Sequence, residues 1–365
     1  MKQKLLNYSN SMRVLQLIDS LQIGGAERTA VNYANYLVND IEASFICASR
    51  KEGPLKQEIK PGIGYLFLNR KKVLDFKAVN KLHSFIKKNQ IDIVHAHSTS
   101  YFFASLLKLR NRNVSIIWHD HNGNRILVSK SKNRVLIYCS YFFSKIITVN
   151  NDLKNWAEIN THCKKVYYLS NFSVLKKEEK QVTHLKGEAG KRLICVANLR
   201  HPKNHIFLFQ VFKEVSKLID GWSLHLVGKD FDDAYSNELK GYIREHNLNN
   251  IFFYGQIKDI HYVLNQSDIG VLTSSSEGFP LTLLEYGLAK LPVIATNVGY
   301  CNHAIRNENE GTLVEVDIKE FSKALLNYIN NYDLRKSHGS MLYRNIATNY
   351  NVEKNIKALI SIYEE

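Results

Sequence analysis

Short apolar, β-branched runs alternate along the chain with longer stretches whose apolar residues recur every three or four positions. In the first half the runs 13–18, 41–48, 65–68, 91–95, 114–118, 145–149 and 166–169 read as strands, and 27–38, 76–88 and 102–109 read as amphipathic helices. Strands that alternate with helices predict a parallel sheet covered on both faces. A polar, Lys/Glu-rich stretch at 176–191 interrupts the pattern and reads as an interdomain linker. Beyond it the alternation resumes, with strands at 193–197, 224–227, 251–254, 269–272 and 293–295 and helices at 204–218, 234–246, 280–289 and 319–329. A last amphipathic helix is expected at 352–365.

The pattern therefore predicts an α/β chain of two Rossmann-like, doubly wound domains facing a central cleft, where the strand ends of such sheets bind ligands. The expected boundaries are 1–172, a linker at 173–191, and 192–348, with 349–365 packing back toward the first domain. A length of 365 residues suits two domains. No run approaches the roughly 18 uncharged apolar residues of a membrane-spanning helix, and the first eleven residues lack the apolar core of a signal peptide. Five scattered cysteines, with no Cys-x-x-Cys pair, fit free thiols in a reducing compartment, so the cytoplasm is the expected location.

Charge changes this picture. The net charge is +15, and residues 1–170 hold 26 Lys and Arg against 11 Asp and Glu, so the whole excess lies in the first half. Such a half can face nucleic acid, an anionic membrane or an anionic substrate, or it can be no more than a basic soluble surface.

The most informative motif is Ser274-Ser275-Ser276-Glu277-Gly278-Phe279-Pro280-Leu281, which continues to Glu285. An apolar strand leads into serines able to cap a helix, Gly278 lets backbone approach a ligand, and Pro280 suits a first helical turn. A helix N-terminus at this point offers free N–H groups to an anion. Glu285 lies roughly 7 Å deeper at about 1.5 Å per residue. Its helix is apolar on nearly every side, so burial is expected. A buried carboxylate needs hydrogen bonds, which a ribose diol, an internal salt bridge or a capping role would supply.

A second element, 196–205, leaves a strand and opens a helix with Asn198, Arg200 and Lys203. Fixed cations there would neutralise a departing diphosphate. In the first half, Gly24-Gly25 after the first strand would let backbone amides approach a phosphate or sugar, although a plain tight turn explains the pair equally well and no G-x-G-x-x-G is present. His95 and His97, then His119 and His121, end two strands. Their i, i+2 spacing is read here as placing side chains on opposite strand faces, which argues against a zinc site and leaves solvated loop histidines as the plain alternative. Asp230-Phe231-Asp232 has the form of a metal-chelating Asp-x-Asp, but a solvated acidic loop is the expectation.

The Glu277-x7-Glu285 pair within Ser-Glu-Gly-Phe-Pro-Leu, followed by Gly287-Leu288-Ala289-Lys290-Leu291-Pro292-Val293-Ile294-Ala295-Thr296 and Gly299, resembles the signature of the retaining GT-B glycosyltransferases of family 4. The resemblance covers most of the chain. It implies a metal-independent, cofactor-free transfer from a nucleoside-diphosphate sugar, UDP-linked by expectation, with front-face attack and no covalent nucleophile. It implies that Glu277 contacts the sugar, that the backbone of Gly278, Phe279, Pro280 and Leu281 holds sugar and diphosphate, and that Glu285 binds ribose. Lys203 would stabilise the leaving diphosphate, with Arg200 standing in for the Arg that the family commonly has at Asn198. Gly24 and Gly25 would close the phosphate site. His119 would touch the sugar near the reacting carbon, with His121 as second choice.

The implied partners are the nucleotide-sugar donor and a lipid-linked or oligosaccharide acceptor of cell-surface polysaccharide synthesis, and the basic first half adds an anionic inner membrane face. Nucleic acid is not expected, because no basic stretch is interleaved with exposed aromatics. The rival classes are a GT-B sugar epimerase or phosphorylase and a basic nucleic-acid-binding protein. A nicotinamide dehydrogenase is disfavoured by the missing glycine fingerprint.

Overall fold

A computed structural model of the chain describes residues 11–175 and 181–365. These form two compact units, one made of the chain up to Asn171 together with Val352–Glu365, the other of Phe172–Asn351.

The first unit is built on a seven-stranded sheet in the order β3-β2-β1-β4-β5-β6-β7. Its strands are β1 (Arg13–Ser20), β2 (Ala43–Lys51), β3 (Gly64–Phe67), β4 (Ile93–His97), β5 (Ser115–Asp120), β6 (Lys145–Thr148) and β7 (Val166–Tyr168). Every pairing is parallel. Helices α1 (Gly25–Leu37), α2 (Phe76–Lys88), α3 (Tyr101–Lys108), α4 (Arg134–Cys139) and α5 (Asn151–Asn160) supply the crossovers. The runs are apolar at consecutive rather than alternate positions because both faces are covered: Val14, Leu15, Leu17 and Ile18 of β1 are all buried.

The second unit repeats the plan with six parallel strands in the order β10-β9-β8-β11-β12-β13. They are β8 (Arg192–Val196), β9 (Ser223–Val227), β10 (Ile251–Gly255), β11 (Ile269–Leu272), β12 (Val293–Thr296) and β13 (Thr312–Val314). The helices are α6 (His205–Val215), α7 (Ala234–Glu245), α8 (Ile260–Asn265), α9 (Leu281–Leu288), α10 (Cys301–Ala304), α11 (Ile318–Asn330) and α12 (Tyr332–Asn349). Two glycines let α12 come close to its neighbours. A Cβ on Gly287 would lie 2.6 Å from Ile346, and one on Gly339 would lie 2.1 Å from the Lys290 carbonyl.

In both units the strand order reverses next to the first strand, between β1 and β4 and between β8 and β11. Ligands of doubly wound sheets bind outside the strand C-termini at such points.

The final helix, α13 (Val352–Glu364), belongs to the first unit. Asn355 donates to the Ser170 carbonyl, Lys145 Nζ donates to the Tyr363 carbonyl at 2.9 Å, and the Tyr363 hydroxyl reaches the middle of the sheet. Of the stretch expected as a linker, residues 176–180 lie outside the described residues. The part that follows is packed rather than free: Asp259 accepts from the backbone N–H groups of Val182 and Thr183, both at 2.8 Å, and Leu185 is buried. No described helix is long and apolar enough to cross a membrane, and all five cysteines are buried free thiols.

Candidate active site

In the second unit, two loops leave the C-terminal ends of β8 and β11. Lys203 closes a short 3-10 turn, and Asn204 at φ 53° turns the chain into α6. The loops are stitched together: the Ser275 N–H donates to the Pro202 carbonyl at 2.8 Å, and Thr273 Oγ1 donates to the Lys203 carbonyl at 3.2 Å. Across this seam Lys203 Nζ stands 2.7 Å from Glu277 Oε1, which also accepts from Ser274 Oγ at 2.6 Å. The Glu277 side chain is 8% exposed and that of Lys203 is 29%, so the ammonium is the open member of the pair. Gly299, at φ 53°, presses on this loop. A Cβ there would sit 1.8 Å from the Glu277 carbonyl oxygen, so only glycine fits.

The N-cap residue of α9 is Pro280 rather than a serine, and Ser274 and Ser275 instead hold Glu277 and the Lys203 loop. Helix α1 likewise begins at Gly24, which has no side-chain cap, whereas the first N–H of α6, that of His205, donates to the Tyr235 hydroxyl at 2.9 Å. By contrast, helices α2, α5, α7, α11 and α12 are capped by Asp75, Asn150, Asp233, Asp317 and Asn331. A helix start without a side-chain cap can turn its N–H groups toward an anion. At α1, Glu27 lies in the first turn, and a Cβ on Gly24 would meet its carboxylate at 2.4 Å.

The remaining predicted residues of the second unit fall around this seam. Phe279 is buried against Tyr350, with ring centroids 5.2 Å apart, and thereby fixes Gly278 and Pro280 on either side of it. Leu281 starts α9, and Glu285 is buried at 8% exposure, as its apolar helix implies. Asn198 Oδ1 accepts from the Lys229 N–H at 2.8 Å, so its side chain organises the neighbouring loop. Arg200 is exposed, with its guanidinium 4.5 Å from the centre of the Phe231 ring, and Lys229 Nζ lies 5.2 Å from the same ring. Lys229 is a cation that sequence reasoning passed over. Asp230 and Asp232 share Lys240, at 2.7 and 3.7 Å, and this contact holds the Asp230 carboxyl below its ordinary range.

The first unit's histidines correct the sequence reading twice. Residues two apart on a strand share a face, and the four rings form one stack. His95 and His97 centroids are 4.4 Å apart, His119 and His121 are 4.1 Å apart, and His95 and His119 are 5.2 Å apart at 7°. Second, His119, the preferred sugar-contacting residue, is fully buried, and neither of its ring nitrogens has a partner among the described residues. His121, at the strand end, is only partly buried. The accessible imidazole of this strand is His121.

A hydrogen-bond chain fixes how His121 is presented. Gln16 Nε2 faces the Tyr363 hydroxyl at 3.4 Å, and that hydroxyl lies 2.7 Å from His95 Nδ1. Gln16 Oε1 meets His97 Nε2 at 2.8 Å, so His97 donates there and its Nδ1 is an acceptor. That Nδ1 lies 3.0 Å from His121 Nε2, which must therefore donate. The neutral His121 ring is left with a lone pair on Nδ1, able to accept a bond from a hydroxyl. Burial lowers His95 to about 3, His121 to about 3, and His97 and His119 well below their ordinary range, so all four are neutral near pH 7. The nitrogens of His95, His97 and His119 lie within 4.8 Å of one another, a spacing able to hold a metal ion. However, His97 already uses both of its nitrogens on Gln16 and His121.

Residues 23–172 match the family model described as Glycosyltransferase Family 4, and residues 176–341 match the one described as glycosyl transferases group 1. The two matches together take in most of the chain. The chain is a glycosyltransferase, similar to family 4 in its first half and to group 1 in its second. This glycosyltransferase is 25% identical over 370 residues to the UDP-Gal:alpha-D-GlcNAc-diphosphoundecaprenol alpha-1,3-galactosyltransferase of Escherichia coli, covering 93% of this chain and 94% of that one. It is 25% identical over 307 residues to the capsular polysaccharide biosynthesis glycosyltransferase CapH of Staphylococcus aureus, with 79% and 82% covered. In fold it resembles Anabaena HepE, solved in complex with UDP and glucose, at a TM-score of 0.81 and 16% identity over 97% of this chain and 100% of that one. It also resembles the sucrose-phosphate synthase of Thermosynechococcus elongatus, at a TM-score of 0.77 and 14% identity over 96% and 98%. The fold is therefore GT-B, with two Rossmann-like units.

Proposed function

We propose that this glycosyltransferase moves a sugar from a UDP-sugar to a saccharide or lipid-linked acceptor in cell-surface polysaccharide synthesis, on the cytoplasmic side, with retention and without metal or cofactor. The observation that carries the reading is Lys203, held by Glu277 at the β8/β11 reversal beside the start of α9. A cation beside a helix N-terminus at the ends of these two strands is suited to a diphosphate. A UDP donor is supported by the UDP-glucose complex of HepE and by the UDP-Gal named for the E. coli relative. The biosynthetic setting is supported by the relatives' names.

In this reading the acceptor oxygen bonds to the anomeric carbon as the bond from that carbon to the β-phosphate oxygen breaks. The acceptor's proton passes to the departing phosphate. Charge that grows on the diphosphate is met by Lys203 and by the backbone N–H groups of Gly278, Phe279 and Leu281, which are preorganised and need not move. Glu277, which is tethered to Lys203, faces the sugar hydroxyls, and Glu285 takes the ribose diol. Gly24 and Gly25 let the backbone at the start of α1 approach the donor for a second phosphate or sugar contact. His121, in place of His119, accepts from a sugar hydroxyl through Nδ1. Arg200 and Lys229 on Phe231 add positive charge nearby. The Asp230–Asp232 pair, already engaged by Lys240, takes no part.

Calorimetric titration with UDP tests the ribose assignment. Glu285→Gln should weaken binding about tenfold or more, the loss of one charge-assisted hydrogen bond, while leaving the melting temperature of the free protein close to wild type. Unchanged affinity in the folded variant would contradict it.

A further inference from the structure

We propose that residues 123–142, the connection between β5 and β6, form a docking face for an anionic phospholipid bilayer. This rests on the reading that the acceptor is lipid-linked.

The segment runs through 3-10 turns Gly123–Leu127 and Lys130–Asn133, helix α4 and a last turn, Ser140–Phe142. One side is anchored. Arg125 Nη2 bonds Asp120 Oδ1 at 2.9 Å and its Nε bonds Oδ2, while Nη1 reaches Asn133 Oδ1 at 2.9 Å. Leu136, Cys139 and Ser140 are buried beneath.

The other side leaves large apolar groups in water: Leu127 is 77% exposed, Tyr138 63%, Val135 53% and Ile126 47%. Tyr141, also exposed, lies flat on His162 with ring centroids 3.6 Å apart. On a helical path Arg134, Tyr138 and Tyr141 fall at i, i+4 and i+7, on one face. Lys130, Lys132 and Arg134 are exposed among these residues.

The charge is unopposed, because the sequence contains no Asp or Glu between Asp120 and Asp152. The two other basic residues from 121 to 151, Arg125 and Lys145, are both buried. Apolar tips held outward by an ion pair, tyrosines and uncompensated cations together match the interface of an anionic bilayer. There, apolar side chains enter the headgroup boundary and each cation adds attraction. A soluble anionic sugar would use the cations but would leave Ile126, Leu127 and Val135 in water. The segment starts two residues after His121, so docking would bring the partly open imidazole to the level of a lipid-borne acceptor.

The test is cosedimentation of the full chain with phosphatidylcholine vesicles, with and without phosphatidylglycerol. Wild type should bind only the anionic vesicles and be released by high salt. Replacing Lys130, Lys132 and Arg134 with Gln together should weaken binding about fivefold per residue, on the order of a hundredfold in all. Ile126→Ser with Leu127→Ser should weaken it with the cations intact. All five positions are exposed, so melting temperature should not change, and transfer to a water-soluble acceptor should survive in both variants. Failure of wild type to bind anionic vesicles, equal binding to neutral ones, or unchanged binding by the variants would overturn the proposal. So would a dimer in light scattering that Leu127→Ser dissolves in the absence of vesicles, which would assign the face to a second copy. Loss of transfer with vesicle binding kept would count against the transferase reading instead.

Discussion

The two units share one strand order and reverse it at the same place, yet they put opposite chemistries there. At the β8/β11 reversal the second unit has a cation steadied by a carboxylate and, beside it, the start of α9, and the cation and the helix start are suited to phosphate charge. At the β1/β4 reversal the first unit has four stacked, neutral imidazoles wired to Gln16 and Tyr363, suited to hydroxyl groups. The fold supplies the location, and the residues at the strand ends decide what each location can bind.

Acid should separate the units most strongly. His95, His97 and His119 are fully buried, and burial lowers each far under its unfolded value near 6.5. The unfolded chain therefore binds more protons as pH falls below 6.5. Stability present above that pH is lost between about 6.5 and 3, by about 2 kcal/mol per histidine at pH 5. The three rings also repel one another once charged, whereas in the second unit His205 and His225, each lowered to about 4, are not stacked on each other. Hydrogen exchange followed by mass spectrometry from pH 7 to pH 5 should show β4 and β5 losing protection before β8 and β11. Simultaneous loss would remove this distinction.

The next effect belongs to the second unit. Lys203→Ala should lower the transfer rate by 10²- to 10³-fold, about 2.7–4 kcal/mol, the usual cost of one preorganised group that stabilises transition-state charge. Steady-state kinetics at saturating donor would read this as a loss in kcat. A variant that raises only KM would make Lys203 a uniform binding contact and weaken the contrast between the two ends.

Most strands and the longer amphipathic helices were legible because covered sheets leave continuous apolar runs. Helix α12 was not, since its 18 residues carry polar groups around much of the circumference and it packs through Gly339, Leu342 and Ile346. β13 has three half-buried residues, too short a run to stand out. Glu277, Glu285 and Lys203 were readable from local spacing, because one loop or one helix turn connects them to the site. The histidine stack was misread through the strand period and through burial. His119 and His121 differ in exposure only because one lies inside the sheet and the other at its end. Tyr363 could not be anticipated, for it reaches His95 from 268 residues away.

The central claim is a metal-independent UDP-sugar transferase, and UDP release in the presence of EDTA tests it most directly. With UDP-galactose or UDP-glucose and a lipid-linked N-acetylglucosamine acceptor, the account predicts acceptor-dependent release of UDP, undiminished by EDTA, and a product whose anomeric proton shows the donor's configuration by NMR. Donor consumption without acceptor, or activity abolished by EDTA and restored by Mg²⁺ or Mn²⁺, would contradict it.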